Sequence, residues 1–389
     1  MSQTKAQLLE GTTAQNVTVD NINTTSVNTG QVSGRKNLII NGAMQVAQRA
    51  SSSTSTGYQT VDRFSVDFSG LNESLTQAQV DVASGTTPYT SGFRKAFKIT
   101  NGNQTGGAGN ADYSNIQYKF EAQDISNSGW NYKSSSSNIT ISFWVKSSVA
   151  QTFYAYLRTK DGTNYHYPCS FALSADTWTK VTKTISGNSN LQIDNDNGEG
   201  MQFTFMLFYG TNYTDSGATL NAWQATASGN SYSPDNTTTW YTTNDATFEI
   251  TGVQLEVGST ASDFEHRSFA EELKLCQRYF FKTSRWMGGA RGSSTGRNFT
   301  LDFGMRLTGG DVSSGSYTNT ATSEGDIVYI GSNATRQASD VTANSLAFSS
   351  STNAQQMSAG VTVGYGIGSG DNGIVTGLYI AGFTIDHEL

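Results

Sequence analysis

The chain has 389 residues, of which 36% are hydrophobic and 11% aromatic, enough to bury cores in two or three units. Only 14% are charged and the net charge is −7, which argues against a protein that binds nucleic-acid phosphates. The remaining polar residues solvate the surface without charge, and this favours neutral partners.

The sequence shows no sign of membrane insertion or of a redox framework. It contains no apolar run of about 18 residues, and its polar start lacks the apolar core of a signal peptide. Cys169 and Cys276 are the only cysteines and lie far apart, so neither a CxxC pair nor a disulfide network can form. We therefore expect two packed free thiols in a protein made without signal-peptide export.

Residues 1–35 form a polar arm in which single Val and Ile residues are spaced among Thr and Asn. Such a segment cannot bury a core by itself. A disordered tail is one interpretation; the other is that the arm is held by wrapping around copies of itself or by docking onto a larger particle, since strand pairing satisfies its backbone groups.

Residues 36–267 contain strand after strand with alternating apolar and polar residues, as half-buried strands do. The chain has three prolines and 40 glycines, so the turns must rely on Gly, Asn, Asp and Ser. This predicts an all-β jelly-roll sandwich. The clearest strand patterns are Leu38–Ile40, Arg63–Phe68, Ala96–Ile99, Ile116–Phe120, Ile139–Val145, Phe153–Leu157, Thr177–Val181, Phe203–Phe208 and Thr247–Val257.

The pattern of residues 268–284 predicts a linking helix. Ser268 and Glu271 form a capping box, and Phe269, Leu273 and Cys276 begin one apolar stripe that continues to Phe280. The stripe packs either on its own domain or against symmetry mates in an oligomer, and the sequence does not decide between them.

Residues 285–389 begin with a Gly/Ser-rich stretch and then resume strand patterns at Phe299–Phe303, Asp326–Ile330 and Gly377–Asp386. They predict a smaller C-terminal β domain at the tip of the molecule. Because no internal repeat is visible, a long β-helix or a propeller is disfavoured.

Aromatic residues in polar loops are candidates for stacking on sugar rings, because a pyranose has an apolar CH face and a rim of hydroxyls. Anchoring of the loop is the alternative for each of them. Trp144 and Trp178 lie on strand patterns and are expected in the core. The loop candidates for glycan binding are Trp130, Tyr132, Trp223, Trp240 and Tyr241.

The carboxylates of Asp194, Asp196 and Glu199 surround a glycine in an arrangement that suits Ca²⁺, although such Asp/Asn/Gly runs also form β-turns. We expect no other cofactor. His166, His266 and His387 lie in no catalytic motif, so we expect structural histidines and a protein that is not an enzyme. A glycan depolymerase, which needs two suitably spaced carboxylates, is the less favoured alternative.

Two stretches resemble tail-fibre proteins of bacteriophages, especially phages of aquatic bacteria and cyanobacteria. The first is Asn37–Arg49 followed by Asp62–Phe64, and the second runs from Gln254–Gly258 through Phe264–Ser268 to Cys276–Phe280. The resemblance implies a homotrimeric fibre and a sandwich similar to carbohydrate-binding jelly rolls. It also implies that the arm attaches to other virion or tail proteins, while the C-terminal end faces the host.

The resemblance thus predicts a structural virion protein, assembled in the host cytoplasm, that attaches the phage to a glycan or protein receptor on the host surface. Three copies would strengthen a weak contact through avidity. A capsid- or tail-decorating protein without receptor binding is the alternative. Neither nucleic acid nor a membrane is an expected partner. Candidate receptor contacts at the tip are Trp286, Arg291, Tyr317 and Tyr365.

Overall fold

The structure is a computed structural model that describes residues 36–226, 232–282 and 388 with their side chains, and otherwise only the backbone of short strands. Strands β1 (Ser26–Val27) and β2 (Gly30–Gln31) pair with each other. The sandwich strands are β3 (Ser52–Ser53), β4 (Phe64–Ser69), β5 (Thr76–Asp81), β6 (Lys95–Thr100), β7 (Tyr113–Glu121), β8 (Asn138–Ser147), β9 (Gln151–Thr159), β10 (Tyr165–Leu173), β11 (Thr179–Ser186), β12 (Glu199–Tyr209), β13 (Gln224–Ala225) and β14 (Thr247–Val257). The short helices among them are α1 (Thr87–Thr90), α2 (Ala122–Ser126) and α3 (Thr239–Thr242).

The sandwich consists of two six-stranded antiparallel sheets. Sheet I has the order β13-β10-β9-β12-β7-β4, and sheet II has the order β11-β8-β14-β6-β5-β3. The chain repeatedly crosses between them: β6 lies in sheet II, β7 in sheet I, β8 in sheet II and β9 in sheet I. Such crossing between facing sheets is the jelly-roll arrangement. The predicted all-β sandwich is confirmed.

The core lies between the sheets because alternate residues of each strand point inward. Ile139, Ile141 and Phe143 of β8 are fully buried, and the ring of Phe143 meets that of Phe205 in sheet I with centroids 4.9 Å apart. Each large apolar side chain buried in this way contributes about 1.5–3 kcal/mol. The contacts between facing aromatic rings therefore hold the two layers together.

Trp144 and Trp178 were expected in this core but belong to a smaller cluster over the outward side of sheet II. Trp144 precedes the inward-facing Val145 on β8, so alternation directs it outward. Both rings are half-buried. The prediction was wrong because a strand pattern does not reveal which side of a sheet faces the other sheet.

The outward side of sheet II is covered by the chain that follows β14. The side chains of Gln254 and Glu256 point outward, yet these residues are only 0% and 5% exposed. Gln254 accepts a hydrogen bond from the backbone N–H of Glu265 at 2.8 Å, and Glu256 accepts one from the hydroxyl of Ser262 at 2.6 Å. Residues 258–267 thus close this face.

Helix α4 (Phe269–Gln277) begins at the predicted capping box. The hydroxyl of Ser268 accepts from the N–H of Glu271, and the Glu271 carboxylate accepts from the Ser268 N–H at 3.0 Å. The helix packs on its own domain, with Cys276 buried against Ile40 and Val46. It is shorter than expected, because Phe280–Thr283 leaves the helix and forms strand β15.

The segment that begins at Asn37 packs against the end of β14 and against helix α4. The side chain of Asn37 donates to Val253 O at 3.2 Å and accepts from the N–H of Leu255 at 3.1 Å. The backbone N–H of Asn41 donates to Glu272 at 2.5 Å. Leu38–Ile40, predicted as a strand, is irregular backbone instead, because the N–H groups of Ile39 and Ile40 donate to side chains, those of Asn37 and Tyr118, and not to a strand ladder.

Further strands follow in the C-terminal part, which was predicted to be β. Strand β15 pairs with Phe383–Asp386, and Trp286–Gly288 pairs with Gly377–Ile380. These strands are β16 (Trp286–Gly288), β17 (Ser316–Asn319), β18 (Ile327–Ile330), β19 (Arg336–Gln337), β20 (Leu346–Ser350), β21 (Met357–Val361), β22 (Gly377–Ile380) and β23 (Phe383–Asp386).

Cys169 and Cys276 are both buried and form no disulfide, as expected. Burial raises the pKa of the Cys169 thiol to about 12, so this thiol stays protonated. In the part of the chain that the structure describes, no helix has the length and apolar composition needed to cross a bilayer.

Candidate functional site

The outward face of sheet I carries polar side chains in rows that cross the strands. Gln202 of β12 pairs with Lys119 of β7 on one side and with Arg158 of β9 on the other, and Arg158 pairs with His166 of β10. Because side chains alternate along a strand, paired residues share one face. The next row, two residues further along each strand, consists of Gln117, Thr204 and Tyr156.

A cluster of tyrosines lies at one end of this face and is called the tyrosine cluster below. The ring of Tyr156 stacks on that of Tyr232, with centroids 4.8 Å apart and planes inclined by 13°. The rings of Tyr113 and Tyr213 meet edge to face at 5.4 Å. The cluster comprises Tyr113, Tyr154, Tyr156, Tyr209, Tyr213 and Tyr232, with Met206 among them.

The rows and the tyrosine cluster line a cleft of about 400 Å³. This volume falls within the range of about 300–1,000 Å³ that is usual for ligand sites. A second cavity beside α2 measures about 240 Å³ and falls below that range. The residues that line the larger cleft are Asp67, Tyr113, Asn115, Gln117, Lys119, Tyr156, Arg158, Lys160, Gln202, Tyr209, Tyr213 and Tyr232.

Asn115 on the floor of the cleft has an unsatisfied acceptor. It is 1% exposed, and its Nδ2 donates to the hydroxyl of Tyr209 at 3.0 Å. Its Oδ1 accepts no hydrogen bond from any described residue. An unsatisfied buried carbonyl costs about 1–3 kcal/mol. A hydroxyl donated by a bound molecule would recover part of that free energy.

The tyrosine hydroxyls remain neutral in the physiological pH range. Burial raises the pKa of Tyr156 to about 12, and it also raises the pKa values of Tyr113, Tyr154 and Tyr232. A neutral phenol both donates and accepts. The cleft therefore offers hydroxyls that can pair with other hydroxyls in either direction.

Charged groups occupy the part of the cleft near Lys160. Burial lowers the pKa of Lys160, and the nearby cations Arg158 and Lys119 lower it further, while Glu199 at 3.8 Å opposes them. Burial also raises the pKa of Asp67, which Lys119 counteracts. The cleft thus combines cationic and aromatic side chains, and the two meet where Arg158 contacts Tyr232.

The loop aromatics proposed from the sequence do not line this cleft. Trp240 and Tyr241 are 0% and 1% exposed, and Trp130 is 3% exposed. The indole Nε1 of Trp240 donates to Thr247 O at 3.1 Å, and that of Trp130 donates to Ser137 O at 3.2 Å. With their rings inside the core, these three residues offer no free face to a sugar.

Trp223 and Tyr132 are half-buried and also hold their own surroundings together. The Nε1 of Trp223 donates to Ser186 O at 2.7 Å, and its ring meets Tyr167 edge to face at 5.5 Å. The hydroxyl of Tyr132 donates to Ile193 O at 3.2 Å. For both residues the observed contacts match the alternative of loop anchoring.

The predicted calcium ligands do not form a cluster. Among the residues described, no three Asp, Glu, His or Cys side chains come together in a way that could hold a metal ion. Asp196 accepts from the N–H of Gly198 at 2.8 Å, as expected for a turn, and the N–H of Asp194 donates to Asp161 at 2.8 Å. Glu199 faces Lys160 instead.

The predicted receptor contacts at the tip lie where side chains are not described. Trp286 is on β16 and Tyr317 is on β17. Arg291 and Tyr365 lie outside the described residues, as does His387. His166 is 2% exposed and its Nδ1 lies 3.1 Å from the hydroxyl of Thr226, while His266 contacts Ser91 O, so both have structural contacts.

Most residues of the cleft lie on strands, whereas the binding residues proposed from the sequence lie in loops. A signal was present in the runs Tyr113–Lys119 and Tyr154–Lys160, in which aromatic, amide and cationic residues occupy every second position. That pattern departs from the small polar residues usual on a solvated sheet face. It could have indicated a binding face on sheet I.

No family model matches the chain, and no curated protein matches it. Similar solved structures include a putative sugar binding protein from Bacteroides thetaiotaomicron, which is 14% identical, covers 57% of this chain and 99% of its own, and has a TM-score of 0.27. The family 11 carbohydrate-binding module of the cellulosomal cellulase Lic26A-Cel5E of Clostridium thermocellum is 12% identical, with coverages of 56% and 98% and a TM-score of 0.26.

The N-terminal cellulose-binding domain of β-1,4-glucanase C from Cellulomonas fimi is 11% identical, with coverages of 56% and 99% and a TM-score of 0.26. At such identities the similarity concerns the fold alone. The TM-scores are too low to support any argument about function. Any functional proposal therefore has to come from the residues of the cleft.

Proposed function

We propose that the sandwich is a non-enzymatic glycan-binding module whose site is the cleft on sheet I. The observation that carries this proposal is the placement of the tyrosine cluster beside rows of amide, hydroxyl and cationic side chains in one cleft. Sugars present apolar CH faces together with a rim of hydroxyls, so they require both kinds of surface at once. The unsatisfied Oδ1 of Asn115 supplies an acceptor for one such hydroxyl.

The half-buried rings of Tyr113 and Tyr213 are the ones available for stacking on a sugar. Tyr156 and Tyr209 are 3% and 5% exposed and support them from below. Gln117, half-buried in the second row, reaches the same cleft with two donors and an acceptor. A glycan chain lying across the strands would meet rings first and amides next.

The test is to titrate the purified protein with a panel of polysaccharides and compare it with the variants Tyr213→Ala and Gln117→Ala. We expect each variant to weaken binding about tenfold, the equivalent of about 1.4 kcal/mol from a lost ring or hydrogen bond. Tyr89→Ala is the matched control, because Tyr89 is also half-buried but packs over sheet II. If binding is unchanged in both folded cleft variants, the cleft is not the glycan site.

We further propose that the chain serves as a homotrimeric tail fibre that attaches a phage to its host. The support is the resemblance of Asn37–Arg49 and of the segment that ends at Phe280, together with the close packing of these two segments. Light scattering should give a mass near three chains, both for the full chain and for one starting at Lys36. A monomer would favour the decorating alternative.

A binding module without enzymatic activity leaves its ligand intact. We therefore expect the viscosity of a bound polysaccharide to stay constant during prolonged incubation with the protein. A progressive fall in viscosity, together with the appearance of new reducing ends, would support the depolymerase alternative.

A further inference from the structure

The charge of the cleft differs in sign from that of the whole chain. The chain carries a net charge of −7, yet Lys119, Arg158 and Lys160 line the cleft together with a single carboxylate, Asp67. Glu199 lies 3.8 Å from Lys160 and compensates part of its charge. The cleft and its immediate surroundings therefore contain three cations and two carboxylates, so this part of the surface has an excess of positive charge.

Arg158 is the cation without a carboxylate partner. Among the residues described, no carboxylate oxygen lies within 4.0 Å of its guanidinium nitrogens. Its Nη1 donates to the hydroxyl of Tyr232 at 3.0 Å and its Nη2 donates to the side-chain amide oxygen of Asn164 at 2.9 Å, which fixes the guanidinium beside the tyrosine cluster. A guanidinium held in the cleft in this way, with no carboxylate to compensate its charge, attracts an anion.

The other two cations lie close to Arg158 on the same face of sheet I. Lys160 follows β9 two residues after Arg158, and Lys119 lies in the same row as Arg158, across Gln202. Lys119 is also close enough to Asp67 to counteract the effect of burial on that carboxyl. His166, the fourth member of the row, is buried beside Thr226. An anion near Arg158 would relieve the mutual repulsion of the three cations.

We propose that the cleft prefers acidic glycans, whose uronic acid residues carry carboxylates, to neutral glycans of the same linkage, an inference that rests on the proposed glycan-binding function. Arg158 is the specificity-determining residue: it pairs with the carboxylate while the neighbouring tyrosines stack on the sugar ring. The small share of charged residues in the whole chain favours neutral partners, but the surface of this cleft is locally cationic.

The experiment compares three acidic polysaccharides, polygalacturonate, alginate and hyaluronate, each with its carboxyl-reduced neutral form, by titration of the full chain at low salt. We expect at least one acid to bind ten or more times more tightly than its reduced form. Arg158→Gln should weaken binding of the acid at least about tenfold more than it weakens binding of the reduced form, because only the acid loses a hydrogen bond between charged groups.

Lys180→Gln is the control, because it removes the same charge from an exposed position on β11 of sheet II. Lys160→Gln is a second cleft variant in case Arg158→Gln does not fold. Equal affinity for every acid and its reduced form would overturn the preference and leave glycan binding intact. Failure of all six polysaccharides and of the neutral panel to bind would overturn both.

Discussion

The guanidinium carbon of Arg63 lies 3.4 Å from the ring centroid of Tyr279. This contact joins the start of β4 to the turn before β15, two points far apart in the sequence. Arg63 is fully buried; its Nη2 donates to Lys119 O at 2.7 Å and its Nη1 forms an ion pair with Glu388. A buried charge held by a ring, a carbonyl and a carboxylate anchors residue 388 to the sandwich.

Glu388→Gln should destabilise the protein by about 3 kcal/mol, because it leaves the Arg63 charge buried without its carboxylate. Urea unfolding measures this change. Asp81→Asn is the control: Asp81 also pairs with a cation, Lys95, but its side chain is 82% exposed, so it should cost less than about 1 kcal/mol. Equal losses in the two variants would show that the pair with Arg63 does not stabilise the fold.

Asp62 should make the protein less stable as the pH rises from about 4 to about 6. Burial raises the pKa of Asp62 to about 6 from a model-peptide value of 3.8, against the hydrogen bonds from Gln48. In this interval the folded state retains a proton that the unfolded state has lost, so stability falls with pH. The shift of the Asp62 pKa from 3.8 to about 6 corresponds to about 3 kcal/mol in the free energy of unfolding.

The variant Asp62→Asn cannot titrate, so its unfolding free energy should be less dependent on pH in this interval. Denaturation at pH 4 and pH 7 for both proteins isolates the contribution of Asp62, because every other group is common to them. An identical pH dependence in the variant would contradict the raised pKa.

Gly42→Ala should be strongly destabilising, because a Cβ at this position would collide with the carbonyl oxygen of Val253. We expect a loss of more than about 2 kcal/mol from this overpacking. Gly85→Ala tests the contribution of backbone conformation alone: Gly85 has φ of +85° with open space around it, so the cost should be about 1 kcal/mol. A smaller loss at Gly42 than at Gly85 would contradict the steric argument.

Two fully buried strand serines should respond oppositely to replacement by alanine. The hydroxyl of Ser147 donates to Val149 O at 2.8 Å and accepts from the Val149 N–H at 3.0 Å, whereas the hydroxyl of Ser114 has no partner among the described residues. Ser147→Ala should lose about 1–3 kcal/mol, and Ser114→Ala should be neutral or stabilising. Thermal unfolding of the two variants measures this difference, and equal changes in stability would contradict the prediction.

The strands of the sandwich could be predicted because their period of two is directly visible in runs such as Ile139–Val145. The start of α4 could be predicted for the same reason, since a capping box is local chemistry between Ser268 and Glu271. The end of α4 could not, because Phe280–Thr283 exchanges helical hydrogen bonds for pairing with a strand about 100 residues away in sequence. Whether such a segment forms helix or strand depends on which distant strand the whole fold brings beside it.

The candidate site was harder to predict because alternation cannot say which outward face remains open. Gln254 and Glu256 on sheet II resemble Gln117 and Gln202 on sheet I in sequence, but residues 258–267 cover only the first pair. Trp240 was misjudged for a related reason. Its ring closes the end of the sandwich, and the sequence does not show where the turn carrying it folds back.

The pairing of β15 with β23 places Phe280–Thr283 beside Phe383–Asp386, and the ion pair of Arg63 with Glu388 attaches the chain just after β23 to the sandwich. Residues 284–382 are therefore bounded by two strands that pair with each other. Lengthening such an excursion changes its closure entropy only slowly. Changes in the number of residues between these two strands should therefore cost the sandwich little stability.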